Sequence, residues 1–402
     1  MKTLILVLVI FLNAFVILNG ESDNTNKIAI PKNEPWSIRI ADTFLARHPG
    51  AVTYDSGSPD KKWNYEQGCI LEAFNQLWLK TGNKKYFEFI KNNIDHYVEE
   101  NGSINTYKYD DFSLDNINTG RQLLTLYLAT KNIKYKKAAD TLRKQLANQP
   151  RTKEGGFWHK KIYPNQMWLD GLYMAEPFYA QYAEIFNEPK DFDDIANQFI
   201  FMYNHAYDPK TGLLYHGWDE SKEQKWANPK TGSSPTFWSR AMGWYEMGLV
   251  DVLDFFPKNN PKREQLIKIF QNVSKAILRF RDKNTNVWFQ VTEQGGRKGN
   301  YLEASASCMF TYAFAKGANN GYLNKKYLEA AKESFEGIIK NFVSVEDNGF
   351  INLNHTCKSA GLGGKPYRDA SFEYYITEPQ RTNDMKGIAP FINAAIQLEK
   401  VK

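Results

Sequence analysis

The sequence predicts an all-α chain closed into an (α/α)6 barrel of six helical hairpins, with a cleft at one mouth. Three observations carry that expectation. Apolar residues recur at the helical period in twelve segments. Short polar turns alternate with long aromatic loops. The long loops return at intervals of roughly 55 to 75 residues, one helix pair each time.

The helical segments fall at 36–48, 66–80, 84–99, 114–130, 133–147, 169–187, 191–206, 237–255, 261–281, 302–316, 324–341 and 384–399. Ser113 offers a capping acceptor to the segment that carries Asp115. Val287 to Val291 is strand-like but lies between helices. Thr81-Gly82-Asn83 and Lys131-Asn132 read as tight helix-hairpin turns. The other connectors share a theme, a Gly or Asn turn followed by aromatic and polar residues. Gly102 to Tyr109, Gly155 to His159, Gly212 to Trp218, Asn286 to Phe289 and Gly349 to Asn352 all follow it. An open solenoid with a repeat of about 34 residues does not fit that spacing. A ring does, and it gathers the loops at one end.

Residues 1–20 read as a secretory signal peptide: Lys2, an apolar run from Leu4 to Leu18, then Asn19-Gly20 before a polar stretch. The run is shorter than the roughly 20 apolar residues of a spanning helix, and no cysteine near Gly20 invites a lipid anchor. The expectation is an exported protein without a membrane anchor, periplasmic or else secreted. Residues 21–35 form a polar segment. No linker divides 36–402, which reads as one catalytic domain.

Cys69, Cys308 and Cys357 are too few for a disulfide framework; the first two sit in apolar helical patterns and read as core. No CxxC or HExxH segment supports a metal, and no GxGxxG or GxxxxGK[ST] pattern supports a nucleotide, so neither metal nor cofactor is expected. The net charge of +6 is spread along the chain. Clusters such as Lys134, Lys136 and Lys137 read as a solvated helix face. A diffuse excess argues against nucleic acid and suits a small acidic substrate. The 10 Trp, 23 Tyr and 26 Phe are many for this length, and most read as core. Flat rings beside Gly, His and Asp in polar loops suit sugar faces.

Asp170, in Trp168-Leu169-Asp170-Gly171-Leu172-Tyr173-Met174, admits two roles. It can cap a helix, or it can act as an acid whose pKa is raised by flanking rings. Asp115, before Asn116, is either a first-turn acid or the second carboxylate of a pair used on glycosidic bonds. His159 and His216 each sit in an aromatic loop, whereas His48 and His96 read as ordinary helix residues. Arg240 and Trp244 share a helix face close to Trp238. They form either a wall cluster or a site in which Arg pairs with a uronate carboxylate while a ring stacks on the sugar.

These residues carry a resemblance. Trp168 to Met174, Ser239 to Trp244, Ala360 to Gly364, Tyr367-Arg368-Asp369 and Asn383 to Gly387 resemble glycoside hydrolase family 105, the unsaturated rhamnogalacturonyl hydrolases and their relatives. The likeness runs from about Trp36 to the C-terminus. It implies the barrel, Asp170 as proton donor and Asp115 as second essential acid. It also implies substrate contacts by Tyr65, His159, His216, Trp238, Arg240 and Trp244. The implied substrate is an acidic oligosaccharide with a 4,5-unsaturated uronic acid at its non-reducing end, linked to rhamnose as in rhamnogalacturonan or ulvan. The related alternative is an unsaturated glucuronyl hydrolase acting on glycosaminoglycan fragments. A helical sugar-binding protein without catalysis is the alternative outside enzymes. One departure stands out: Asp369-Ala370-Ser371 replaces the expected Asp-Gly-Ser.

Overall fold

A computed structural model describes residues 29–52 and 62–399. The expected leader, residues 1–20, lies outside them. Among the described residues no helix is long and apolar enough to cross a membrane.

The helical residues pair off into hairpins: α1 (Trp36–Arg47), α2 (Tyr65–Thr81), α3 (Lys84–Asp95), α4 (Gly120–Thr130), α5 (Ile133–Asn148), α6 (Leu169–Ile185) and α7 (Asp191–Ala206). They continue as α8 (Ser239–Val252), α9 (Arg263–Arg279), α10 (Ala304–Asn319), α11 (Lys325–Phe342), the short α12 (Phe372–Thr377) and α13 (Met385–Leu398). Helices α2, α4, α6, α8, α10 and α13 touch in that order, and α13 returns to α2. The ring therefore closes. Outside it, α1, α3, α5, α7, α9 and α11 each pack on inner helices. All of α8 and nearly all of α6 and α10 are buried, whereas α9 and α11 bury one face and turn the other to water. Close approach in the inner ring requires small residues: a Cβ on Gly243 would stand 2.6 Å from Met309 Sδ.

Four local expectations change. The 114–130 segment is not one helix, because Leu114–Asn116 forms a separate 3-10 turn and α4 starts at Gly120. Ser113 makes no side-chain cap there. Val287 to Val291 makes isolated bridges, Trp238 to Val291 and Phe289 to Leu302, rather than a strand. Lys134 is not on a solvated face; it is buried, its Nζ 3.1 Å from Asp95 and 2.8 Å from Glu100. The helix α12 was not expected at all. Cys69, Cys308 and Cys357 are buried and unpaired.

Three two-stranded ribbons tie the loops together. Strand β1 (Gln166–Trp168) pairs antiparallel with β2 (Gly217–Asp219), Met167 opposite Trp218. Strands β3 (Val343–Val345) and β4 (Ile351–Leu353) pair likewise, as do β5 (Thr356–Cys357) and β6 (Gln380–Arg381). The first ribbon leads directly into α6, and so it fixes what stands at that helix's N-terminus.

Candidate active site

The hairpin repeat places polar side chains in register. The second residue of each inner helix is Glu66, Arg121, Asp170, Arg240, Ser305 or Lys386. Residues at the N-terminal ends of α2, α6 and α8 line one cavity of about 740 Å³ with the segment before α4. Helix N-termini carry partial positive charge, so their convergence favours an anion there.

Asp170 projects into this cavity. It is not the N-cap of α6, a position held by Trp168, so the capping role is excluded. His216 Nε2 stands 3.0 Å from Asp170 Oδ2, and His216 Nδ1 lies 2.7 Å from the Tyr375 hydroxyl. The β1–β2 pairing and the bond from Leu169 N–H to His216 O, 3.0 Å, set that approach. His216 itself is fully buried. It therefore stands behind the acid rather than on the cavity wall, where a substrate-contact role would have put it.

Burial pushes the Asp170 carboxyl up, but the charge and contact of His216, aided by His159, outweigh it and leave the pKa below the usual carboxylate range. The raised pKa expected from the flanking rings is thus corrected: the rings desolvate, and the imidazole overcomes them.

Asp115 faces the same cavity from its 3-10 turn. Lys160 Nζ contacts its Oδ2, and His159 Nε2 lies 3.5 Å from its Oδ1. Burial holds His159 down to about 4, so its imidazole is neutral at pH 7. His159, Trp168 and Tyr163 form a stack, with ring centroids 4.5 Å apart for the first pair and 4.7 Å for the second.

Trp238, Arg240 and Trp244 line the opposite side, with Tyr65 edge-on to Trp244 at 6.4 Å. Arg240 lies 4.8 Å over the Trp238 ring. Its guanidinium donates to Cys357 O and, at 3.4 Å, to Ser305 Oγ, while Nε has no partner. The structure therefore brings seven of the eight expected residues to one cavity and places His216 behind its wall.

Sequence reasoning missed Lys160, Lys108, Tyr163 and Tyr375. Lysines are common on surfaces, and Tyr375 acts through a contact 159 positions away from its partner, a separation that no local pattern reveals. The departure from Asp-Gly-Ser falls on Ala370. It sits at φ 59°, the left-handed region that suits glycine, and it leads into α12, which carries Tyr375.

Comparison with known proteins shows the family. The model of Glycosyl Hydrolase Family 88 matches residues 36–402. The chain belongs to this family of glycoside hydrolases. A family 105 glycoside hydrolase from C. acetobutylicum ATCC 824 is 46% identical, with TM-score 0.87, over 92% of this chain and 100% of that one. The unsaturated rhamnogalacturonyl hydrolase YesR of Bacillus subtilis (strain 168) is 24% identical over 73% of this chain and 79% of its own length. The unsaturated glucuronyl hydrolase of Bacillus sp. GL1 has the same fold, with TM-score 0.66 at 13% identity over 90% of this chain and 95% of that one. The family 88/105 hydrolase described here is an unsaturated uronyl hydrolase with a helical-barrel fold.

Proposed function

We propose that the protein releases a 4,5-unsaturated uronic acid from a rhamnose-linked oligosaccharide left by a polysaccharide lyase, through protonation of C4 by Asp170. The observation that carries this reading is the row that runs from Asp170 at the cavity wall back to the buried His216 and Tyr375. It gives one carboxyl a buried imidazole with which to exchange charge.

The substrate's C4=C5 bond is conjugated to its carboxylate. Protonation at C4 leaves positive charge shared between C5 and the ring oxygen. Water then adds at C5, its proton passing back to the Asp170 carboxylate. The hemiketal opens, and the hemiacetal left at C1 expels the aglycone. One carboxyl thus serves twice, which relieves the site of the paired-acid geometry of ordinary glycosidases.

Free Asp170 is held as a carboxylate, so it takes up its proton from water as substrate binds. A bound uronate excludes water and adds negative charge, and both influences raise the Asp170 pKa. Arg240, whose Nε has no partner, is suited to receive the uronate carboxylate. Asp115, held by Lys160, is suited to orient water or a sugar hydroxyl.

Rhamnose as the neighbouring sugar is supported by the name of YesR and by Ile162. That side chain lines the cavity while 72% exposed, an apolar surface for a deoxy-sugar methyl group. Export is part of the proposal and rests on the apolar run from Leu4 to Leu18. The test is incubation with unsaturated uronyl-rhamnose and unsaturated uronyl-hexosamine disaccharides, following the ultraviolet absorbance of the conjugated double bond. Faster loss with the rhamnose compound is expected. Preference for the hexosamine compound transfers the protein to the glucuronyl reading, and stable absorbance with both contradicts the activity.

A further inference from the structure

The outer wall carries a charge pattern that the active site does not use. Three adjoining hollows lie between α9, α11 and the loop after α7, and Lys326 borders all three. Residues 268, 275 and 279 of α9 follow one another at heptad and half-heptad spacing, so Lys268, Lys275 and Arg279 share a face. Lys210, Lys283 and Lys326 complete the border. All six side chains are exposed.

Among the described residues none of the six has a carboxylate within ion-pair distance. Arg279 donates to Thr211 O, and Lys326 lies 5.3 Å from the centre of the Tyr327 ring. The acids nearby are already engaged. Glu333 pairs with Arg281 at 2.7 Å and Glu329 with Lys332 at 2.9 Å. Asp208, near enough to Lys210 to be stabilised by its charge, and Asp282 accept from the hydroxyls of Thr211 and Thr285, each at 2.6 Å. Glu264, the sole acid of α9, stands one turn before Lys268, but Lys275 and Arg279 have no acid one turn away on this helix to neutralise them. The net charge of +6, read from sequence as diffuse, is therefore partly gathered here.

The Lys268–Arg279 row extends about 16 Å at the helical rise, long enough to follow several units of a linear polymer. Tyr207, Tyr322 and Tyr327 border the hollows and add ring surface. No residue is shared with the catalytic cavity.

We propose that this groove is a second, non-catalytic binding site for a linear acidic polysaccharide. Spaced lysines with adjacent tyrosines match a chain that presents a carboxylate or sulfate on each repeat together with sugar faces. The choice of polysaccharide over other polyanions rests on the uronyl hydrolase reading of the cavity. Its consequence is retention of the enzyme on the polymer whose fragments it consumes.

The probes are polygalacturonate, a sulfated galactan, neutral dextran and a short DNA duplex, each cast into native gels with the full-length protein. Retardation by at least one acidic polysaccharide, not by dextran, and weakening with added salt is expected. The Lys275→Ser/Arg279→Ser/Lys326→Ser variant should lose that binding at least tenfold while cleaving an unsaturated disaccharide at the wild-type rate. Absence of retardation, unchanged binding by the variant, or tighter binding to the duplex than to either acidic polysaccharide overturns the proposal. Because retardation is read without turnover, failure of the disaccharide assay tells against the catalytic reading and leaves the groove's binding measurable by itself.

Discussion

Arg121 and Arg240 occupy the same position, second in an inner helix, and both are buried. Their partners differ. Arg121 lies 3.1 Å from Glu72 and 3.1 Å from Asp251, and Asp251 also meets Lys316 at 2.7 Å and accepts from the Tyr312 hydroxyl at 2.6 Å. Arg240 has a carbonyl, a hydroxyl and a tryptophan face, but among the described residues no carboxylate in ion-pair range. Glu303 nearby is occupied by Ser305 and by the N–H groups of Ala306 and Cys357. A buried charge that is matched within the fold holds the barrel together. One left unmatched at a cavity wall is available to a ligand.

The largest effect should come from the mouth. Asp170→Asn lowers turnover by about 10²- to 10⁴-fold, the range for loss of a general acid, with the thermal midpoint changed far less because the amide keeps a polar atom facing His216. Near-normal turnover by the folded variant would remove Asp170 from the mechanism. At the matched site the pattern reverses. Arg121→Met strands Glu72 and part of the Asp251 charge, and should cost about 3–5 kcal/mol in denaturant unfolding, while the KM of the protein that remains folded changes little. A stable Arg121→Met variant with weakened substrate binding would break the contrast.

A third expectation uses pH. Folded His159 takes up a proton only near pH 4, whereas the unfolded imidazole does so near 6.5. The unfolded state therefore binds more protons between those values, and stability falls as pH drops through that window. The contribution is about 3 kcal/mol at full extent. Denaturation midpoints of wild type and His159→Gln between pH 7 and 4 should show the loss in the first and a flatter profile in the second. Parallel profiles would mean that His159 is solvated. The smallest effect is Arg240→Lys, which keeps the charge but not the fork. A rise in KM of roughly tenfold, or about 1.4 kcal/mol, with kcat less affected, separates a binding role from a wall role.

The contrast also shows what a sequence discloses. Helix periodicity gave α2, α5, α7 and α11 to within a residue or two, because each buries a regular stripe. It failed at Asp115, where an apolar run continued across a 3-10 turn. Aromatic loops marked the mouth, and the motifs pointed to Asp170, Asp115 and Arg240. What stayed hidden was pairing at long range. Nothing local says that His216 meets Tyr375, that Arg121 meets Asp251, or that six lysine and arginine side chains on the outer wall form no ion pair among the described residues. For the same reason the sign of the Asp170 shift was misread, since the tryptophan beside it is adjacent in sequence and the histidine that decides it is not.

The central claim is that Asp170 delivers a proton to C4 rather than to a glycosidic oxygen. The most direct measurement runs the reaction on an unsaturated disaccharide in heavy water and follows the released sugar by NMR. The account predicts deuterium at C4 and no cleavage of the saturated analogue. A product without deuterium at C4, or efficient cleavage of the saturated compound, would show that Asp170 works as an ordinary glycosidase acid.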